Sequence, residues 1–119
     1  MLYAVVSSAY PSKTIARTEV DIPVGLYEKA RYSLAEIDLK TGRTHQIRRH
    51  FAHLRHPLIG DTVYGDGRHN KMFRDKFNSH RLMLAAIKLE LLHPFNQEEL
   101  EIHAPLEAGF RTVLNKLGM

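Results

Sequence analysis

The 119-residue sequence contains no cysteine, which excludes disulfide bonds and thiolate metal sites. No apolar run approaches the ~20 residues that a membrane span needs, so we expect no association with a membrane. No basic residue precedes the apolar run of Leu2–Ser7, and this argues against a signal peptide. We therefore expect a cytoplasmic protein that forms one domain over residues 1–119.

Acidic residues are scarce in the middle of the chain. Between Lys40 and Arg81 there are ten lysines and arginines and three acidic residues, which gives this segment a charge of +7. The other 77 residues hold seven basic and ten acidic residues, a charge of −3. One contiguous block, the basic segment of residues 40–81, therefore supplies the net +4. Such a block indicates a polyanionic partner. The alternative is a solvated surface in which basic residues cluster by chance.

The hydrophobic pattern mixes strands and helices without a regular βαβ alternation. This favours an α+β fold with a mixed, largely antiparallel sheet and a few helices. Strands are predicted at Leu2–Ser7, Thr14–Val20, Arg31–Lys40, Arg81–Leu92 and Glu99–Ala104, with a short extended segment at Thr62–Tyr64. Helices are predicted at Thr44–Arg55, Asn70–Phe77 and Leu106–Leu117.

The first predicted helix, Thr44–Arg55, has an N-terminus suited to anions. Ile47, Phe51 and Leu54 follow one another at helical spacing and should face a core. The first turns of the helix carry a cluster of polar and basic side chains. These are Arg43, His45, Gln46, Arg48 and Arg49. Free backbone N–H groups at a helix N-terminus favour anions, and arginine adds bidentate contacts to phosphate. The physics alone indicates an anion-binding junction, with an ordinary charged helix start as the alternative.

Two motifs carry a resemblance to a known family. Lys-Thr-Gly-Arg-Thr-His-Gln-Ile-Arg-Arg-His over residues 40–50, followed by His-Pro-Leu-Ile-Gly-Asp-Thr-Val-Tyr-Gly over residues 56–65, resembles the C-terminal signature of the RluA-type pseudouridine synthases. The resemblance implies part of a synthase catalytic domain. It also implies isomerisation of uridine to pseudouridine in tRNA or ribosomal RNA, by an aspartate and without a cofactor or metal.

The resemblance also implies roles for particular residues. Arg48 is expected to pair with the catalytic aspartate, which would keep that carboxylate ionised and oriented. Leu82 and Leu84 are expected to line the uridine pocket. The candidates for RNA contact are Arg43, His45, Gln46, Arg49 and His50, to which the basic segment adds Arg68, Lys71 and Arg74.

The sequence departs from the family pattern at the nucleophile. The family's aspartate lies in an Arg-Leu-Asp element upstream of the signature, and no such element occurs here. Asp61 belongs to a Gly-Asp turn and is not a candidate. We therefore expect a C-terminal portion of the catalytic domain that is inactive alone and can self-associate through an exposed sheet edge. Residues 1–13 fit the family less clearly, with Leu2 at the position of an active-site tyrosine and Tyr3 one residue away.

Two other functional interpretations stay open. One is a non-catalytic RNA-binding module built on the synthase scaffold, and the other is a basic interaction domain with no RNA role. A metal site at the histidines of the basic segment is not expected, because no carboxylate or cysteine is spaced to complete it. These histidines are His45, His50, His53 and His56.

Overall fold

A computed structural model describes residues 1–8, 14–26, 28–37, 44–92 and 94–119. Six strands and three helices follow one another in these ranges. They are β1 (Leu2–Ser7), β2 (Thr14–Val20), β3 (Ala30–Ile37), α1 (Thr44–His53), α2 (Gly67–Phe77), β4 (Leu84–Ala86), β5 (Lys88–Leu92), β6 (Glu99–His103) and α3 (Ala108–Leu117). The α+β prediction is confirmed. None of the helices in the described ranges is long and apolar enough to cross a membrane.

The main sheet has four strands in the order β2-β3-β1-β4, and every pairing in it is antiparallel. β1 lies inside the sheet, where Val5 pairs with Leu34 of β3 and Tyr3 pairs with Ala85 of β4. Its nearly continuous apolar sequence suits a strand whose two faces are both covered. β5 and β6 form a separate two-stranded antiparallel sheet.

The helices cover opposite faces of the main sheet. Alternate residues of β1 point to opposite sides, so Ala4 and Val6 pack with Phe51 of α1, while Val5 packs with Phe73 of α2. α3 joins α2 on that second side, and the four predicted core residues of α3 are buried. These are Phe110, Val113, Leu114 and Leu117. The basic segment is therefore divided between the two faces of the sheet.

The first predicted helix ends earlier than the sequence indicated. Ile47 and Phe51 are buried as predicted, but Leu54 is 41% exposed and lies beyond the helix. The helix ends at His53 because Arg55 adopts a positive φ of 65°, which no regular α-helix contains. The prediction that Leu54 faces the core was wrong.

The predicted strand Arg81–Leu92 was also wrong as a single element. Leu2, the first residue of β1, pairs with Ala86, so β4 has no partner strand beyond that point. At Ile87 the backbone N–H donates to the carbonyl of Met1 and the carbonyl accepts from Ala104, and the chain then continues in the second sheet. The third predicted strand starts at Ala30 and is described as far as Ile37, and its predicted residues 38–40 lie outside the described ranges.

Candidate functional site

The site is built around a tight turn that begins at Asp61. One carboxylate oxygen, Oδ1, accepts hydrogen bonds from the backbone N–H groups of Val63 and Tyr64 at 3.0 and 2.9 Å. An aspartate that accepts bonds from amides two and three residues onward closes a turn. Thr62–Tyr64 is therefore a turn, and the prediction of an extended segment there was wrong.

Glycines and α2 hold this turn in one position. Gly60 has a φ of +84°, and a Cβ added there would lie 1.9 Å from the carbonyl oxygen of Arg81. Asn70, which is buried in α2, clamps the turn from the other side. Its Oδ1 accepts from Gly60 N–H at 2.8 Å, and its Nδ2 donates to the carbonyl of Asp61 at 2.9 Å. The backbone of the turn is thus fixed before any side chain in it acts.

Arg48 of α1 reaches the turn and makes a bidentate ion pair. Its Nε and Nη2 atoms donate to Oδ2 and Oδ1 of Asp61, each at 2.9 Å. The side chain of Asp61 is 1% exposed and that of Arg48 is 23% exposed. The ring of Tyr64 lies against the guanidinium, with 5.5 Å from Cζ to the ring centroid. Parallel paired bonds of this kind fix the orientation of an arginine as well as attract it.

The electrostatics agree with a charged pair. Burial alone would raise the pKa of Asp61, but the hydrogen bonds from Arg48 and from the backbone N–H groups of Tyr64 and Val63 outweigh it, so the pKa lies below its ordinary value. The hydrogen bond to Asp61 raises the pKa of Arg48 in turn. Both groups are therefore ionised at neutral pH.

The Asp61 pair changes the expectation for Arg48. The sequence interpretation gave Arg48 a carboxylate partner from outside this chain, and the structure gives it one from inside. The pair with Asp61 engages two of the five guanidinium N–H groups. Within the described residues no other acceptor contacts the guanidinium, and its side chain is partly exposed. The other three N–H groups, which have no acceptor among the described residues, are called the open edge of Arg48 below.

His45 and Tyr64 form a second contact next to Arg48. The His45 Nε2 atom lies 2.8 Å from the Tyr64 hydroxyl, and the two rings meet edge to face with centroids 5.2 Å apart. Sequence reasoning assigned His45 to RNA and gave Tyr64 no role. The second motif ends in Tyr-Gly, which places an aromatic residue three positions after Asp61. This was the signal from which a role for Tyr64 could have been predicted.

The described candidates for RNA contact are divided between α1 and α2. Arg49, His50 and Gln46 are exposed on α1, and Gln46 has a contact within the chain. His45 also lies on α1, and the remaining candidates belong to α2, on the opposite side of the sheet, or to the segment before α1. Arg68 pairs with Asp66, Lys71 pairs with Asp75 and Arg74 is exposed, while Arg43 lies outside the described residues.

The predicted pocket residues lie on the α1 side of the sheet. Leu82 and Leu84 are half-buried and pack against the apolar cluster that includes Ile47 of α1. Leu2 belongs to the same cluster, whereas Tyr3 packs on the opposite face against the larger core. The alternation of β1 therefore separates Tyr3 from Arg48. Among the described residues no group of three or more histidine, aspartate or glutamate side chains could hold a metal ion.

Similarity to known proteins points to the same family as the two motifs. Residues 2–53, which include β1 and all of α1, match the family of RNA pseudouridylate synthases. This match supports the resemblance that the motifs carry.

Several bacterial relatives are named tRNA pseudouridine synthase C. The chain is 53% identical over 104 residues to the protein of Vibrio parahaemolyticus, 46% over 106 residues to that of Vibrio cholerae, and 48% over 104 residues to that of Salmonella typhi. These alignments cover 87%, 89% and 87% of this chain and 42%, 43% and 40% of the relatives. The chain therefore spans about two fifths of their length, in their C-terminal part.

Proposed function

We propose that this chain supplies the arginine side of an active site that isomerises uridine to pseudouridine in tRNA. The nucleophilic aspartate comes from polypeptide outside these 119 residues. The names of the relatives support the reaction and the tRNA substrate. Because tRNA is the proposed substrate, the cytoplasm is the expected compartment. No cofactor or metal takes part in the proposed reaction.

The open edge of Arg48 is the observation that carries this proposal. Asp61 occupies one edge of the guanidinium, and the remaining N–H groups can bind a second carboxylate. A positive charge at hydrogen-bonding distance keeps such a carboxylate ionised, which a nucleophile requires. The target uridine must leave its stack to reach the site, as in other enzymes that act on a base.

The RNA backbone is proposed to bind the exposed basic side chains. Arg49 and His50 lie on α1 next to Arg48, and Arg74 is exposed on α2. Two other candidates, Arg68 and Lys71, are already paired with carboxylates, and these carboxylates lower the local positive potential. We expect weak binding of structured RNA, in the micromolar range or looser. Affinity should fall steeply with salt as counterions are released.

Tritium release from tRNA labelled at C5 of uridine tests the reaction. The chain alone should release no tritium. A fusion of this chain to the upstream portion of the Vibrio parahaemolyticus relative should release it. Within that fusion Arg48→Lys should reduce turnover about 100-fold or more, because lysine cannot make the paired contacts, and Arg111→Lys, at an exposed position of α3, is the matched control. Turnover by the chain alone, or a folded fusion without turnover, would contradict the proposal.

A non-catalytic RNA-binding module is the second candidate, because Arg48 already has a carboxylate partner within the chain. Gel shifts separate the two. An affinity for RNA that is unchanged by Arg48→Ala but lost on replacing Arg68, Lys71 and Arg74 would favour the module. Absence of binding at low salt would favour a basic interaction domain without an RNA role.

Self-association is a further part of the proposal. β2 is an outer strand of the main sheet, and within the described ranges no strand pairs with its free edge. Free strand edges pair readily with other chains. Sedimentation velocity over a range of concentrations should show a concentration-dependent dimer. A single monomeric species at all concentrations would contradict it.

A further inference from the structure

We propose that Asp61 is a positioning residue that fixes the guanidinium of Arg48 so that its open edge receives a second carboxylate. The geometric part of this inference follows from the structure of the chain itself. Its consequence for catalysis rests on the proposed function. Asp61 acts through Arg48 and does not touch the substrate.

The carboxylate of Asp61 is buried and already accepts four hydrogen bonds. Oδ1 accepts from Arg48 Nη2 and from the backbone N–H groups of Val63 and Tyr64, and Oδ2 accepts from Arg48 Nε. The side chain is 1% exposed, so a substrate cannot reach it. A buried carboxylate with several fixed donors holds its partner in place.

The position of Asp61 is set by elements other than α1. Asn70 of α2 binds the backbone on both sides of the peptide between Gly60 and Asp61. Gly65 closes the turn so tightly that a Cβ there would lie 2.1 Å from the carbonyl oxygen of Asp61. The turn is therefore a fixed reference, and Arg48 is oriented against it. Tyr64 limits movement of the guanidinium out of its plane.

The open edge of Arg48 consists of the N–H groups that Asp61 does not engage. Nε and one hydrogen of Nη2 point at Asp61, so both hydrogens of Nη1 and the second hydrogen of Nη2 remain. An incoming carboxylate must use this side as long as Asp61 holds the other. Without Asp61, the preferred site for a carboxylate would become the Nε–Nη2 edge, and a bound anion would sit in a different place.

Side-chain NMR of the ¹⁵N-labelled chain tests this arrangement, with acetate as the probe and sodium chloride as the matched salt. In the wild type, Hε of Arg48 should exchange with water at least about tenfold more slowly than Hε of Arg68, whose pair with Asp66 is exposed. Acetate should shift the Nη hydrogens of Arg48 and leave its Hε unchanged. Chloride at the same concentration should produce neither shift.

The variant Asp61→Asn gives the decisive contrast. An amide oxygen can still accept from the turn N–H groups, but the charge and one acceptor for Arg48 are lost. The new amide NH2 then opposes Nε–H of Arg48, so the guanidinium should turn away from this buried side chain and bring its Nε–Nη2 edge to solvent. Hε of Arg48 should then exchange as fast as that of Arg68, and acetate should now shift it. Asp66→Asn is the matched control and should leave both signals of Arg48 unchanged. A role of Asp61 in stability alone would not move the acetate response from Nη to Hε.

Two results would overturn the inference. One is Hε exchange of Arg48 as fast as that of Arg68 in the wild type, a measurement that needs no variant to fold. The other is a folded Asp61→Asn chain whose Arg48 responds to acetate as the wild type does. Neither experiment contains tRNA or measures turnover, so failure of the tritium test leaves this result standing, and the reverse also holds.

Discussion

Two arginine–aspartate pairs in this protein share the same chemistry and differ in what they connect. Arg48 binds Asp61 through two hydrogen bonds, and Arg68 binds Asp66 through two. Each aspartate also closes a backbone structure. Asp61 closes the turn that follows it, and Asp66 caps the N-terminus of α2 by accepting from the backbone N–H of Arg68.

Burial and sequence separation distinguish the two pairs. Asp61 and Arg48 are 1% and 23% exposed, against 26% and 66% for Asp66 and Arg68. Arg48 lies in α1, 13 residues from its partner at the start of the turn, whereas Arg68 lies two residues from its own partner. Only the first pair links distant elements. The Arg68–Asp66 pair is thus part of a local helix cap, whereas the Arg48–Asp61 pair is a tertiary restraint.

The largest expected difference concerns the glycine next to each aspartate, Gly60 beside Asp61 and Gly67 beside Asp66. Gly60→Ala should destabilise the protein by roughly 2–5 kcal/mol, because positive φ costs about 1–2 kcal/mol and a clash with a backbone carbonyl adds about 1–3 kcal/mol. Gly67→Ala, at the first residue of α2, places its Cβ in open space and should be neutral or slightly stabilising. Urea unfolding measures both. Equal losses would show that the Asp61 turn is no more constrained than the cap.

The next effect compares the two carboxylates directly. Asp61→Asn should lower the free energy of unfolding by roughly 2–3 kcal/mol, below the 3–5 kcal/mol usual for a broken buried pair because the amide still closes the turn. Asp66→Asn should cost less than about 1 kcal/mol, since exposed pairs contribute little and asparagine is a good N-cap. The same unfolding assay checks both. A larger loss for Asp66→Asn would reverse the comparison.

The sequence predicted the local structures of this protein better than its tertiary contacts. The bounds of β1 and β2 were predicted correctly, because an apolar run and a loose alternation are local signals. The turn at Asp61 was missed. Thr62 and Val63 are β-branched and Tyr64 is aromatic, so their propensity favours a strand. The hydrogen bonds to Asp61 and the clamp from Asn70 override that propensity.

The candidate site was predicted in the same partial way. Arg48 was identified by its motif, but its partner Asp61 was set aside as a turn residue. No local pattern reveals a pair between positions 13 residues apart in different elements. The helix that Asp66 caps was predicted to start at Asn70, because the apolar spacing of α2 begins late. It starts at Gly67, where the cap places it.

Acid titration should test whether Asp61 of the buried pair is held ionised in the folded protein. The pKa of Asp61 lies below its ordinary value of 3.8 in the folded protein, so on acidification the unfolded chain takes up the proton first. The stability from this group is fully present above the unfolded pKa and is lost as pH falls through the lower folded pKa. Unfolding free energies from pH 6 to 2 should decline less below about pH 4 in Asp61→Asn than in the wild type. Parallel curves would contradict a depressed pKa at Asp61.

The smallest effect concerns the aromatic neighbour of the buried pair. Tyr64→Phe keeps the ring against Arg48 and removes the hydroxyl that contacts His45. Because His45 is exposed, the loss should be near the low end for a hydrogen bond, about 0.5 kcal/mol. Tyr64→Ala removes the ring as well and should cost more, with faster Hε exchange at Arg48. Faster Hε exchange in Tyr64→Phe alone would contradict this expectation. It would mean that the hydroxyl contact, and not Asp61, is the principal restraint on the guanidinium of Arg48.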